Sequence, residues 1–334
     1  MQILALALLA AGALVLLPGP AAAESPALVD VEIREWPVPY AESRPRDPDV
    51  APDGRVWFVG QRADYVAWLD PESGEFGRFA LPEGAAPHNL VVAGDGAVWY
   101  AGNGAAHVGR LDPASGAILR VDMPDPEARD PHTLVLDPEG DLWFTLQIAN
   151  RVGFLDTDTR EVRLVPVPTP GARPYGIVTD AQGRPWVALF GTAKLATLDP
   201  DTLALREVAL PRDAARPRRI AITPDGRVAY VDYAEGYLGL YDPETGGFRE
   251  WRLPGGEGAR PYALVADAEG RLWVFETGSV PNRLVGFDPR TERFFAAGSV
   301  PSGGGAVRHA VSHAPTRTLW FGTDANTIGR ARLP

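Results

Sequence analysis

Three of the five histidines, His88, His132 and His309, fall at one equivalent place when seven related segments of the chain are lined up. Arg46, Tyr175, Arg218 and Tyr262 hold that place in the other four. A neutral imidazole can act as a base or as a metal ligand, and a guanidinium grips carboxylates and phosphates. Fourteen residues further on stand Gly60, Gly102, Leu146, Leu189, Asp232, Glu276 and Thr323, of which only Asp232 and Glu276 carry charge. Two carboxylates from neighbouring segments suit a hard divalent ion such as Mg²⁺, which prefers oxygen ligands. His309 beside Glu276 makes the best acid/base or metal pairing of the set, whereas a histidine that only braces a loop is the commoner outcome.

The charge balance narrows the partners. A formal net charge of -11 argues against nucleic acid and anionic membranes. Against that background the opening loops of the segments gather Arg44, Arg46, Arg173, Arg216, Arg218, Arg219, Arg260 and Arg308. An acidic protein with its arginines collected in one region points to an anionic small-molecule ligand, with Arg218, Tyr262, Arg260, His132, His88 and Arg46 as its contacts. Pairing of these arginines with Asp47, Asp130 and Asp213 is the alternative, and the Asp232 carboxylate is expected to face Arg218.

What positions these residues is a repeat of about 43 residues. Eleven residues after the shared place come Trp57, Trp99, Trp143, Trp186, Ala229, Trp273 and Trp320. Each unit alternates apolar and polar residues between Gly, Pro and Asp turns, as in Thr133 to Leu136, the turn at Asp137 to Gly140, and Asp141 to Leu146. Asp-Pro type turns recur at Asp70, Asp112, Asp199, Asp242 and Asp288. Four short antiparallel strands per unit, seven times over, predict an all-β seven-bladed β-propeller of four-stranded antiparallel blades. The last unit has three strands, and an orphan strand at 29–38 is expected to complete it and close the ring. The repeated tryptophans are expected to fill the wedges between blades.

Residues 1–23 read as a signal peptide, with an apolar run at 3–17 and small residues Ala21 to Ala23, leaving a single domain at 24–334. No Lys or Arg precedes the run, and an uncleaved anchor is the alternative. The chain has no Cys, so a periplasmic or secreted protein would owe nothing to disulfides. A single copy of the chain is expected to be the working unit, with no membrane span after cleavage.

The phrases Ala-Arg-Pro-Tyr-Gly-Ile-Val at 172–178, Gly-Asp-Leu-Trp-Phe-Thr at 140–145 and Ile-Gly-Arg at 328–330 resemble the streptogramin lyases, also called virginiamycin B lyases. The resemblance covers essentially the whole chain after residue 23. It implies a seven-bladed propeller that opens the ester of type B streptogramins by elimination, with Mg²⁺ and a histidine base. The family pattern places a metal carboxylate two residues before that base and a second one fourteen residues after it. Here these positions are Arg260, Tyr262 and Glu276, and the family's substrate-binding histidine of blade five is Arg218. An arginine in place of a carboxylate changes the local charge by two, and an ordinary tyrosine, with a pKa of about 10, is a poor base.

Two classes of function therefore remain open. One is a metal-dependent lyase that acts on an ester or lactone other than a streptogramin, with His309 and Glu276 as catalytic residues and Glu276 and Asp232 holding Mg²⁺. The other is a non-catalytic propeller that binds an anionic small molecule, glycan or protein at an arginine-rich mouth. A six-bladed sugar lactonase disagrees with the count of seven, and a quinone-cofactor dehydrogenase disagrees with the chain length.

Overall fold

The structure is a computed structural model that describes residues 27–334. The signal segment assigned to 1–23 lies outside the described residues. Seven sheets of antiparallel strands succeed one another along the chain: blades one to five span 45–80, 87–122, 131–166, 174–209 and 217–252, blade six 261–299 and blade seven 307–332. The second strand of every blade is buried along its whole length, as a strand covered on both faces must be.

The N-terminal segment closes the ring, in two pieces rather than one. Strand β1 (Val29–Asp30) adds in parallel to the outer strand of blade six, at Ala296 and Ala297. Strand β2 (Ile33–Pro37) then pairs antiparallel with the strand Thr327–Arg332 and completes blade seven. The single expected strand at 29–38 is thus split between two blades. Its two parts staple blade six to blade seven through the start of the chain.

Each junction between blades has its own apolar cluster, and in six of seven that cluster contains the repeated Trp of the preceding blade. Trp143, Trp186 and Trp273 also donate their indole N–H to Asp137, Asp180 and Asp267, so the rings are buried without an orphaned donor. At the junction of blades five and six the repeat has Ala229, and there Trp251 takes over. It comes from the outer strand of blade five, and its ring lies 4.7 Å from that of Phe287.

A β-bulge recurs in the first strand of all seven blades, between its opening residue or the one after and the residues that follow. The extra residue breaks strict alternation, so two successive side chains can turn toward the central axis. This irregularity decides the composition of the site.

Replacing Trp186, 1 % exposed, by Ala is expected to cost about 3–5 kcal/mol of stability, read from the shift of the urea midpoint. Trp251→Ala acts in the same direction with a smaller shift, because its ring is only half-buried.

Candidate functional site: an arginine-filled channel mouth

The opening strands all begin at the same end of the central channel, and their second and third residues form two tiers. The upper tier is Arg46, His88, His132, Tyr175, Arg218, Tyr262 and Arg308; the lower is Asp47, Asn89, Thr133, Gly176, Arg219, Ala263 and His309. Blade seven departs from the expected alignment by one residue. Its hairpin contains a short 3-10 turn, Ala314–Thr316, and pairs Val307 with Thr323, where the other blades pair residues fifteen apart, such as Pro261 with Glu276. Counting back from Trp320 therefore lands one position too deep. Arg308, and not His309, is the counterpart of Tyr262.

In the lower tier Arg219 crosses the axis. It donates to Asp47 Oδ2 at 2.9 Å in blade one, to the Arg308 carbonyl at 3.0 Å in blade seven and to Thr133 Oγ1 at 3.3 Å in blade three. Asp47, fully buried, also accepts from Arg46 Nε at 3.1 Å and from Asn89 Nδ2 at 3.3 Å. Burial opposes ionisation of this carboxyl, but Arg46 and Arg219 outweigh it and hold it well below the usual carboxylate range. Gly176 makes the crossing feasible, since a Cβ there would stand 2.8 Å from the Arg218 carbonyl oxygen and 3.0 Å from Arg219 Cα.

Two of the three histidines, His88 and His132, pack ring against ring at a tilt of 35°. The His88 and His132 rings lie 3.6 Å apart, His88 donates from Nδ1 to the His132 carbonyl at 2.9 Å, and His132 Nδ1 bonds Thr133 Oγ1. His309 keeps Nδ1 buried without a partner. All three are pushed below the ordinary imidazole range. Burial is the largest cause, aided by Arg46 and Arg219 at His88, by the His88 ring and Arg219 at His132, and by Arg219 at His309, which reaches about 3.

Tyr175 and Tyr262 share a hydrogen bond between their hydroxyls. Arg218 sits among four aromatic rings, its guanidinium carbon 3.6 Å from the centre of Tyr262, 4.3 Å from Tyr233, 4.7 Å from Phe190 and 5.0 Å from Tyr175. Its contact with the Tyr175 hydroxyl is long at 3.5 Å, and Nε is buried without a partner. Arg173 flanks Phe190 at 5.7 Å and Arg260 flanks Tyr233 at 5.8 Å, which makes an alternating row of three guanidiniums and two rings across blades four to six. Arg173 and Arg260 stand just before the opening prolines with φ of 54° and 41°, a left-handed backbone that costs a non-Gly residue energy.

The arginines divide into two groups. Arg46 and Arg219 share Asp47, while Arg44 and Arg308 share Asp324 at 3.4 and 2.5 Å. Arg173, Arg216, Arg218 and Arg260 have no ion pair with any carboxylate among the described residues. Asp130 is engaged by the backbone amides of Ile148 and Ala149, and Arg216 reaches only the carbonyls of Asp213 and Ala215.

The two acids singled out from the sequence sit elsewhere. The bulge pairs Asp232 with Pro217 and Glu276 with Pro261, so neither faces Arg218 or Tyr262 across its hairpin. Asp232 is bound to Arg212 at 2.8 Å and to the amides of Arg216 and Ala234. Glu276 is bound to Arg283 at 2.7 Å and to the Gly255 amide at 2.8 Å, and it makes no hydrogen bond to His309. Both brace loops and are paired with an arginine, Asp232 through Oδ2, which has that ion pair but no hydrogen bond of good geometry. Arg260 and Tyr262 add no carboxylate, and no group of three His, Asp or Glu among the described residues converges to hold a metal. The donor set does not fit a hard divalent cation.

Sequence reasoning missed the rim position one residue past the return strand: Gln61, Phe190, Tyr233 and Asp324. Gln61 accepts from Arg46 at 2.9 Å, and the other three hold Arg218 or Arg308 as described. Two aromatic residues in neighbouring repeats, at the positions after Leu189 and Asp232, were the available signal.

The neutral histidines make a prediction about acid. An imidazole with a folded pKa below its unfolded value of about 6.5 adds stability that is complete above pH 6.5 and is lost as pH falls toward the folded pKa. Urea midpoints should fall between pH 6.5 and 4. His309→Gln should flatten the dependence by up to about 1.4 kcal/mol per pH unit.

Comparison with known proteins places the fold. A search of curated proteins finds no match. Among solved structures, a streptogramin B lyase superposes with a TM-score of 0.82 at 24% identity, over 91% of this chain and 98% of that one. Selenomethionine-substituted virginiamycin B lyase from Staphylococcus aureus gives 0.81 at 22% identity, over 91% and 100%. Kuenenia stuttgartiensis hydrazine synthase gives 0.71 at 16% identity, over 88% and 96%. At these identities the likeness is one of fold. The sequence model of the virginiamycin B lyase family matches residues 26–198, and this chain belongs to that family.

Proposed function

We propose that this streptogramin-lyase-like propeller binds an anionic small molecule, through a carboxylate, phosphate or sulfate group, at the part of its channel mouth formed by blades four to six. The reading rests on Arg218. Its guanidinium is half-buried on four aromatic rings, no carboxylate among the described residues balances it, and Arg173 and Arg260 flank it equally unpaired among those residues. Taking a charge out of water is expensive unless a partner arrives. A bound anion supplies that partner, and the rings keep the planar guanidinium oriented for two parallel hydrogen bonds.

The lyase reading asks for a metal carboxylate and a base where this chain has Arg260 and Tyr262, and for a free Glu276 where Arg283 occupies it. Anion binding asks for nothing the mouth lacks. The small-residue motif after the apolar run at 3–17 supports a site of action outside the cytoplasm. No helix among the described residues is long and apolar enough to cross a membrane.

Calorimetric titration of sulfate, inorganic phosphate and glucuronate into the protein at low salt tests the reading. At least one is expected to bind equally well with EDTA and with added Mg²⁺, to weaken as salt rises, and to lose tenfold or more in affinity in Arg218→Gln. Binding that requires a divalent metal, or that Arg218→Gln leaves unchanged, would overturn it.

A further inference from the structure

Tyr262 occupies an unusual place in this charge arrangement. Its hydroxyl meets the Tyr175 hydroxyl and lies 3.4 Å from Arg308 Nη1, while Arg218 covers its ring at 3.6 Å. It is 2 % exposed. The charged groups that act on it are Arg218 from blade five, Arg46 from blade one, Arg308 from blade seven and Arg219 from the tier below. Tyr175 from blade four is its hydrogen-bonded neighbour, and the Tyr233 ring lies 6.1 Å away. Asp47 and Asp324 are the carboxylates that pair with these arginines, and neither reaches Arg218. Four guanidiniums against two carboxylates leave a positive excess, and the linked hydroxyls of Tyr262 and Tyr175 touch it, Tyr262 at Arg308 and Tyr175 at Arg218.

We propose that in alkali Tyr262 is the internal counter-anion of the mouth: its phenolate then balances the arginines of the empty site, and it takes up a proton when an external anion settles on Arg218. Burial alone would hold the phenol neutral, but the arginines, Arg218 foremost, outweigh it and bring the group down to about 8. Tyr175 moves the opposite way, because it is buried and faces the Tyr262 oxygen, so the first proton to leave the pair is that of Tyr262. An added anion lowers the positive potential at Tyr262 and favours its protonated form, and by reciprocity ionised Tyr262 disfavours the anion. Affinity therefore falls as pH rises above 8. The site is tuned to load its ligand at or below neutral pH and to release it in alkali.

This linkage rests on the anion-binding reading above, and the two fail in different ways. The probe is sulfate, which does not titrate in this range. Phenolate absorbance at 295 nm is followed from pH 6 to 11 in the whole protein, with and without sulfate, and sulfate affinity is measured across the same range. One tyrosine equivalent is expected to ionise near pH 8. It should be absent in Tyr262→Phe, move upward with sulfate, and move upward in Arg308→Gln, which removes one guanidinium. Sulfate affinity should fall by up to tenfold per pH unit above 8 in the unmodified protein and stay flat in Tyr262→Phe. If sulfate binds but no tyrosine ionises below pH 9.5, or if the affinity slope persists in Tyr262→Phe, the linkage is wrong and the anion site stands. If a tyrosine ionises near pH 8 but sulfate binds at no pH, the anion reading falls and the linkage with it.

Discussion

One buried carboxylate, Asp47, holds the centre of this propeller. Seven blades bring seven innermost strands to a narrow axis, and something must fill it. Here Arg219 fills it, and a guanidinium cannot be buried there without an anion. Asp47 supplies that anion from the far side of the ring, so the Arg219–Asp47 contact at 2.9 Å ties blade five to blade one across the channel. Much of the neighbourhood follows from this. Gly176 and Ala263 leave room for the crossing, Thr133 accepts from Arg219 and Asn89 donates to Asp47, and the three histidines are pushed toward the neutral form beside two arginines.

Because Asp47 is already shared by two guanidiniums, it has nothing left for Arg218. The charge excess therefore accumulates on the side of the mouth farthest from Asp47 in blade order, where aromatic rings rather than carboxylates support it. Aromatic faces attract a cation without neutralising it. A propeller mouth can change its chemistry while the fold persists, since the blades are held by their interface clusters. The mouth residues open each first strand and the cluster residues follow them, as Leu90, Leu134, Ile177, Ile220 and Leu264 do, which lets one set vary while the other persists.

The architecture was legible in the sequence because its causes are local and repeated. A Trp in six of seven units, Asp-Pro turns and period-two alternation each specify a blade, and they agree with one another. Even so, the orphan strand at 29–38 divides between blades six and seven, a choice made by pairing edges that no local pattern reveals. The site was legible only in part. Arg218, Tyr262, His88, His132 and Arg46 do come together, while Asp232 and Glu276 turn away to Arg212 and Arg283. The β-bulge explains this split: it adds a residue to every opening strand, moves the return acids out of register with the mouth, and brings Asp47 and Arg219 inward. A longer turn in blade seven displaces His309 by one place for the same kind of reason.

The claim that matters most is that uncompensated positive charge at Arg218 is a binding site for an anion. Anomalous diffraction from crystals of the protein grown with selenate would locate that anion directly. The account predicts a selenium peak within hydrogen-bonding distance of the Arg218 guanidinium, flanked by Arg173 and Arg260, and its loss in Arg218→Gln. Selenate found only on other surfaces, with the Arg218 guanidinium still packed on its four rings and bare of ligand, would contradict it.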